Sequence, residues 1–254
     1  MPIFTLAKFT VKGYLKERIL LVVLIFGFVL MAASYVLSPL AVGAQQKIVV
    51  DIGLASISIF GIILIVLLGA GSYHQERERG ILKALLVKPI TRTDFILGKY
   101  AGTVLTVATV LLSMAAVCLL VMAVSGSAIT ENIFWAIYLS ILEMAVVTAV
   151  LTFFASFTSP ILSSFFTVSV VVAGHLSKDL LAFAERFGAP LPKIVAQTAY
   201  YLLPNLALFN VRSEAVHGLP LPDGFINAVT VYGIFYAAVL LFMSTLVFAR
   251  KEVH

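Results

Sequence analysis

The chain is poor in charge and almost without cysteine. Its 254 residues include 17 Lys or Arg and 12 Asp or Glu, and charged side chains make up 11% of the chain, against about 25% in soluble domains. The single cysteine, Cys118, excludes an intramolecular disulfide. No CxxC or Cys/His cluster has the spacing of a zinc site, and the four histidines are scattered. We therefore expect no metal or cofactor bound by this chain.

Several catalytic motifs are missing as well. No GxxxxGK run followed by Ser or Thr is present, and the Gly98-Lys99 pair is followed by Tyr100. The chain thus lacks the loop that cradles nucleotide phosphates in P-loop proteins. An intramembrane enzyme would need paired catalytic groups at depth, and no Asp pair, Ser/His pair or HExxH appears. We expect that the chain is not itself an enzyme.

What the chain has in abundance is apolar sequence. Apolar residues make up 61% and the mean hydropathy is +1.10, which predicts an all-α integral membrane protein with one domain over residues 1–254. Most runs have the length of about 20 residues that crosses a hydrocarbon core of about 30 Å. Six runs are predicted as spans: 19–37, 52–73, 100–124, 133–157, 161–176 and 225–249.

The basic residues predict the orientation. With the N-terminus in the cytoplasm, 12 Lys and Arg fall on the cytoplasmic side and five on the outer side, a bias typical of cytoplasmic loops. Both termini are then cytoplasmic and the protein lies in the plasma (inner) membrane. Residues 4–18 mix aromatics with three lysines spaced four apart, which predicts an interfacial helix. Because the charges follow topology rather than forming a patch, we expect no nucleic-acid partner.

A dense charged stretch lies between the second and third runs. Residues 75–89 have the sequence QERERGILKALLVKP and predict a short cytoplasmic helix with charges on one face and leucines on another. Pro89 ends it, and Thr91 with Asp94 resembles a capping box that starts the next helix. Its periodicity alone is equally consistent with a helix that lies at the membrane surface without binding a partner.

Residues 73–102, YHQERERGILKALLVKPITRTDFILGKYAG, resemble the intracellular coupling segment of type-2 ABC exporter permeases. Residues 201–218, YLLPNLALFNVRSEAVHG, resemble the segment before the last span in the branch that includes multicopper-enzyme-maturation permeases. One departure is Ile81, where many relatives carry Thr. The resemblance also implies outer amphipathic helices between residues 177 and 224, which cap the pathway.

The resemblance implies that this segment docks on a separate ATP-binding subunit, which holds ATP and Mg²⁺. A second permease copy or a homologue would complete the usual twelve spans. The docking residues it implies are Glu76, Arg77, Glu78, Arg79, Gly80, Leu82, Lys83, Leu85, Leu86, Pro89 and Arg92. The alternative is a stand-alone ion-coupled carrier, which one acid within the spans and the lack of an evident repeat argue against.

Glu143 is the one ionisable acid within a predicted span, with Ser140 three residues before it on the same helical face. A charge at this depth costs about 2.5–3.5 kcal/mol on insertion scales, so Glu143 should face protein or water. It is either part of the translocation path or a neutral carboxyl that hydrogen-bonds across helices. Further polar candidates for a pathway lining are Ser56, Ser58, Thr106 and Ser113.

Met114, Cys118 and Met122 recur every four residues in the third run. Soft sulfur ligands of this kind suit Cu(I). Helically spaced Met and Cys are more often packing residues, and no second thiolate or imidazole cluster accompanies them. We therefore predict that these three side chains belong to the core.

Overall fold

We analysed a computed structural model of the chain. It describes residues 45–78, 92–124, 126, 128–177 and 203–250, together with isolated positions at 7, 11, 25, 26, 29, 32, 33, 194, 197, 198 and 200. Within these ranges the regular structure is entirely helical. The helices are α1 (Gln45–Glu78), α2 (Arg92–Val124), α3 (Glu131–Ala155), α4 (Pro160–His175), a 3-10 helix (Leu206–Phe209), α5 (Arg212–His217) and α6 (Phe225–Arg250).

Four of the described helices, α1, α2, α3 and α6, are long and apolar enough to cross a membrane. This confirms an all-helical chain of the kind found in membrane proteins. The first predicted span, 19–37, lies almost wholly outside the described residues, so the total of six spans stays a prediction.

The long helices continue past their apolar runs. α1 extends the predicted 52–73 run at both ends, and α2 begins at Arg92 rather than at Tyr100. Their 34 and 33 residues give lengths of about 50 Å, well beyond a hydrocarbon core of about 30 Å. The polar extensions stay helical because Gln, Glu and Arg are good helix formers. Apolar run length therefore underestimates these two helices.

α4 is the shortest of the apolar helices. It begins with Pro160 at its first turn, as the sequence predicts, and comprises 16 residues. Proline suits this place because the first helical N–H groups have no partner within the helix. At about 24 Å, α4 is shorter than the hydrocarbon core, and it stands as an apolar helix rather than as a demonstrated span.

α3 is the central helix of the bundle and packs against α1, α2, α4 and α6. A close approach to α1 is possible because Gly61 has no side chain: a Cβ there would lie 2.9 Å from Met144 Sδ. On the other side, the Tyr100 hydroxyl of α2 donates to the Ala145 carbonyl over 3.3 Å. Small-residue contacts and interhelical hydrogen bonds are the usual means of packing helices in membranes.

The described residues 203–224, which lie between α4 and α6, close one end of this bundle. Asn132, at the start of α3, donates from Nδ2 to the Leu219 carbonyl over 2.8 Å. α5 ends at Gly218, whose φ of 66° is the left-handed conformation that glycine adopts without strain. The starts of α1, α3 and α6 thus share one end of the bundle, and the starts of α2 and α4 lie at the other.

Candidate functional site

A cavity of about 410 Å³ opens between α1 and α4, with α3 as its floor and residues 209–212 at the end of the bundle where α1 and α3 begin. Most of its wall is apolar, and six polar side chains reach it. This size falls within the range of about 300–1,000 Å³ typical of small-molecule sites. These polar residues are Ser58, Ser140, Glu143, His175, Asn210 and Arg212.

Glu143 lies at the thirteenth of the 25 positions of α3, about 18 Å along the helix from its first residue. Its side chain is 2% exposed, and its Oε1 atom has no hydrogen-bond partner among the described residues. Buried polar oxygens in native proteins are nearly always hydrogen-bonded. An unsatisfied carboxyl oxygen at the middle of an apolar helix is therefore a sign of a functional position.

His175 is the nearest charged or titratable neighbour of that carboxyl in the described structure. Its Nε2 atom lies 3.3 Å from Glu143 Oε1, and its side chain is 31% exposed. Its Nδ1 lies 3.0 Å from the Val171 carbonyl in the preceding turn of α4. Since a carbonyl oxygen only accepts, this contact requires a hydrogen on Nδ1. The Nε2 and Oε1 atoms are therefore close to each other although they make no aligned hydrogen bond. The packing of α3 against α4 holds the two polar side chains together.

Of the serine and threonine residues predicted to line a pathway, some lie in the cavity wall and others do not. Ser140 and Ser58 line the cavity with Glu143, whereas Ser56, Thr106 and Ser113 are outside this lining. The Thr106 and Ser113 hydroxyls donate to carbonyls within α2, at Gly102 and Val110. Ser140 also donates to its own helix, at Ala136 over 2.8 Å, which leaves its oxygen able to accept a further bond.

Arg212, at the rim of the cavity, forms an ion pair with Asp51. Arg212 Nε lies 2.8 Å from Asp51 Oδ1, with both side chains about half exposed. The same two residues border a second, more polar cavity of about 420 Å³ that also includes Lys47, Glu214 and His217. The arginine that borders both cavities is thus already paired with a carboxylate.

The methionine and cysteine series lies in the hydrophobic core. Met114, Cys118 and Met122 are each at most 2% exposed and belong to one cluster with residues of α1 and α3. The prediction of packing is confirmed. Among the described residues, no group of three or more His, Cys, Asp or Glu side chains is placed to hold a metal ion.

The predicted docking segment is described only at its ends. Glu76, Arg77 and Glu78 form the last turn of α1, and Arg92 is the first residue of α2. The remaining predicted docking residues, Arg79, Gly80, Leu82, Lys83, Leu85, Leu86 and Pro89, lie outside the described residues. Beside the segment, Lys99 is buried at 1% exposure, with its Nζ 5.8 Å from the Phe95 ring centre.

Sequence reasoning missed His175 as a partner of Glu143. The two residues are 32 positions apart, on different helices, and hydropathy alone does not fix how α4 is rotated about its axis. The available signal was modest: His175 is the last residue of an apolar helix, and a histidine in such a position is uncommon away from function.

Comparison with curated proteins found no match. A family described as "Protein of unknown function (DUF2705)" matches residues 19–254, which is nearly the whole chain. On that match, the chain is a member of the DUF2705 family.

Proposed function

We propose that this chain is the membrane-spanning permease subunit of an ATP-binding-cassette transporter, an exporter by its resemblance to type-2 permeases. A separate ATP-binding subunit docks on the cytoplasmic segment 75–89 and supplies ATP hydrolysis. Two copies of the chain, or one copy and a homologue, form the complete pathway in the plasma membrane, with both termini in the cytoplasm.

The observation that supports this proposal most is the position of α1. At its C-terminal end, α1 runs directly into the charged segment, and nearer its middle it contributes Leu54, Ser58 and Ile62 to the cavity wall. About 30 Å of continuous helix separates Ser58 from Glu78. A force applied to the segment would therefore move one wall of the cavity, because a helix transmits displacement along its axis.

α2 gives the segment a second firm attachment. Its first residues project about 12 Å beyond the apolar run that begins at Tyr100. Near this end, the Phe95 ring stacks on Phe248 of α6 at 6.3 Å between ring centres. A partner that displaces the segment thus acts on two helices that are packed into the bundle.

Co-purification tests the proposal. The tagged chain, extracted in mild detergent, is expected to retain a nucleotide-binding subunit with ATPase activity. Leu85→Asp, on the apolar face predicted to dock, should reduce the retained ATPase at least about tenfold, which corresponds to about 1.4 kcal/mol of binding free energy. Leu219→Asp introduces the same change at an exposed site at the other end of the bundle and should leave retention unchanged.

A stand-alone ion-coupled carrier is the second candidate, and the Glu143–His175 pair favours it, since titratable groups inside a membrane are typical of proton relays. It predicts that the purified chain alone transports in liposomes under a pH gradient. Full transport by a preparation that contains no nucleotide-binding subunit would establish the carrier and refute the permease.

A further inference from the structure

The geometry of the Glu143–His175 pair favours one proton on either of its two facing atoms. Because His175 Nδ1 carries a hydrogen toward the Val171 carbonyl, a neutral imidazole would present the bare lone pair of Nε2 to Glu143 Oε1 at 3.3 Å. Two lone pairs facing each other in a low-dielectric interior repel. The contact becomes favourable when one proton resides on Oε1 or on Nε2, and the pair is then neutral overall.

The charges around the cavity select the sign of a ligand. A hydrophobic anion would need a free cation, but Arg212 is held by Asp51 at 2.8 Å. The carboxyl at the floor would in addition repel an anion. A cation finds the Glu143 carboxylate and, beside it, the oxygen of Ser140, which can still accept a bond. The remaining wall is mostly apolar.

The cavity is also accessible from the side. Ile59 on α1 and Val172 on α4 line it and are 57% and 53% exposed. Apolar side chains exposed at this level of the bundle face lipid in a membrane protein. An amphiphile could therefore enter between α1 and α4 from the bilayer without first crossing water.

We propose that this cavity binds hydrophobic monocations, such as amphiphilic amines, on the Glu143 carboxylate in exchange for the one proton that the Glu143–His175 pair holds. This names the substrate class of the proposed permease and rests on that function for its role in transport. One positive charge enters as one proton leaves through the partly exposed imidazole to water. The net charge at the cavity floor is the same before and after the proton is exchanged for the cation.

Binding should accordingly depend on pH. The charged or titratable groups that line this cavity with Glu143 are His175 from α4 and Arg212 at the start of α5; α1 contributes Ser58, and α2 and α6 contribute none among the described residues. Low pH favours the proton over the ligand. The cation therefore binds more tightly as pH rises.

Ethidium, a permanently charged hydrophobic monocation, is a suitable probe. With the purified full chain and any subunit it retains, we expect ethidium affinity to rise at least about fivefold between about pH 6 and about pH 8.5. At about pH 6, where the proton competes with the ligand, a pH indicator in weak buffer should report up to about one proton released per ethidium bound. Anilinonaphthalene sulfonate, an apolar anion, should not compete. Binding without proton release, or displacement of ethidium by the anion, would overturn the proposal.

Variants locate the site. Glu143→Gln keeps the shape and removes the charge, and should lower ethidium affinity at least about tenfold and abolish the pH dependence. Glu131→Gln is the matched control, because Glu131 is an exposed glutamate at the start of the same helix. If Glu143→Gln does not fold, Ser58→Phe takes its place: a ring in the lining should block ethidium while the carboxyl remains. Unchanged binding in a folded Glu143→Gln, or in Ser58→Phe, contradicts the site.

This experiment and the co-purification fail independently. Glu143-dependent binding by a chain that retains no ATPase would refute the permease and support the cation site. A retained ATPase with no Glu143-dependent binding would refute the cation site alone.

Discussion

Arg212 Nε contacts Asp51 Oδ1 at 2.8 Å and thereby joins the start of α5 to the first turns of α1. The two side chains are 41% and 48% exposed, so the pair adds little to stability. Its more important effect is electrostatic, because it occupies the arginine at the rim of the apolar cavity. The pair keeps a fixed positive charge from attracting anions to a site whose floor is a carboxyl group.

Removing Asp51 separates these two effects. Asp51→Asn should lower the free energy of unfolding by no more than about 1 kcal/mol, the value typical of exposed ion pairs. The same change frees Arg212 and should weaken ethidium binding several-fold. Thermal unfolding in detergent and fluorescence titration measure the two quantities. The double variant Asp51→Asn, Arg212→Met should recover ethidium affinity; a failure to recover would show that the charge of Arg212 is not the cause.

Two buried glycines should respond differently to substitution by alanine. A Cβ at Gly174 on α4 would lie 2.6 Å from the Pro204 carbonyl oxygen, and at Gly61 on α1 it would lie 2.9 Å from Met144 Sδ. The first obstacle is backbone and must move with its segment. The second is the flexible end of a methionine, which can turn away.

We therefore expect Gly174→Ala to destabilise the protein by about 1–3 kcal/mol, the usual cost of overpacking. Gly61→Ala should be close to neutral, because alanine gains about 1 kcal/mol of helix propensity over glycine. Thermal unfolding of both variants, compared with the unsubstituted chain, is the measurement. Equal destabilisation at the two positions would contradict this account. Because Gly174 precedes His175, its variant should also weaken ethidium binding.

Hydropathy predicted the described helices well because a span must bury its own backbone hydrogen bonds and expose apolar side chains, which are local demands. It placed the last helix, 225–249, within one residue of Phe225–Arg250. It predicted α1 and α2 to be shorter than they are, because the polar ends of a helix carry no apolar signal. It also placed the short helix α4, since the predicted run 161–176 differs by one residue at each end from Pro160–His175.

The candidate site was predictable in part. Glu143 and Ser140 follow from the cost of an acid in an apolar run and from helical spacing. His175 and the Arg212–Asp51 pair do not, since they depend on how helices distant in sequence are rotated against each other. Lys99 was assigned to the polar flank of its span, and its burial depends in the same way on the packing of α2.

The orientation of the bundle can be tested with cysteines. The native Cys118 is buried at 2% exposure, so a membrane-impermeant maleimide should not label the unsubstituted chain. Stacking of Phe95 on Phe248 places the start of α2 beside the end of α6. Asp223, exposed just before α6, therefore lies at the opposite end of the bundle from the segment that joins α1 to α2.

Asp223→Cys and Lys83→Cys are accordingly a matched pair of reporters. In intact cells, the maleimide should label Asp223→Cys and leave Lys83→Cys unlabelled, whereas in inverted vesicles the pattern should reverse. This result is expected if the chain has the orientation that its Lys and Arg distribution predicts. If Lys83→Cys reacted in intact cells, the segment would face the exterior, where no ATP-binding subunit could reach it, and the permease proposal would be refuted.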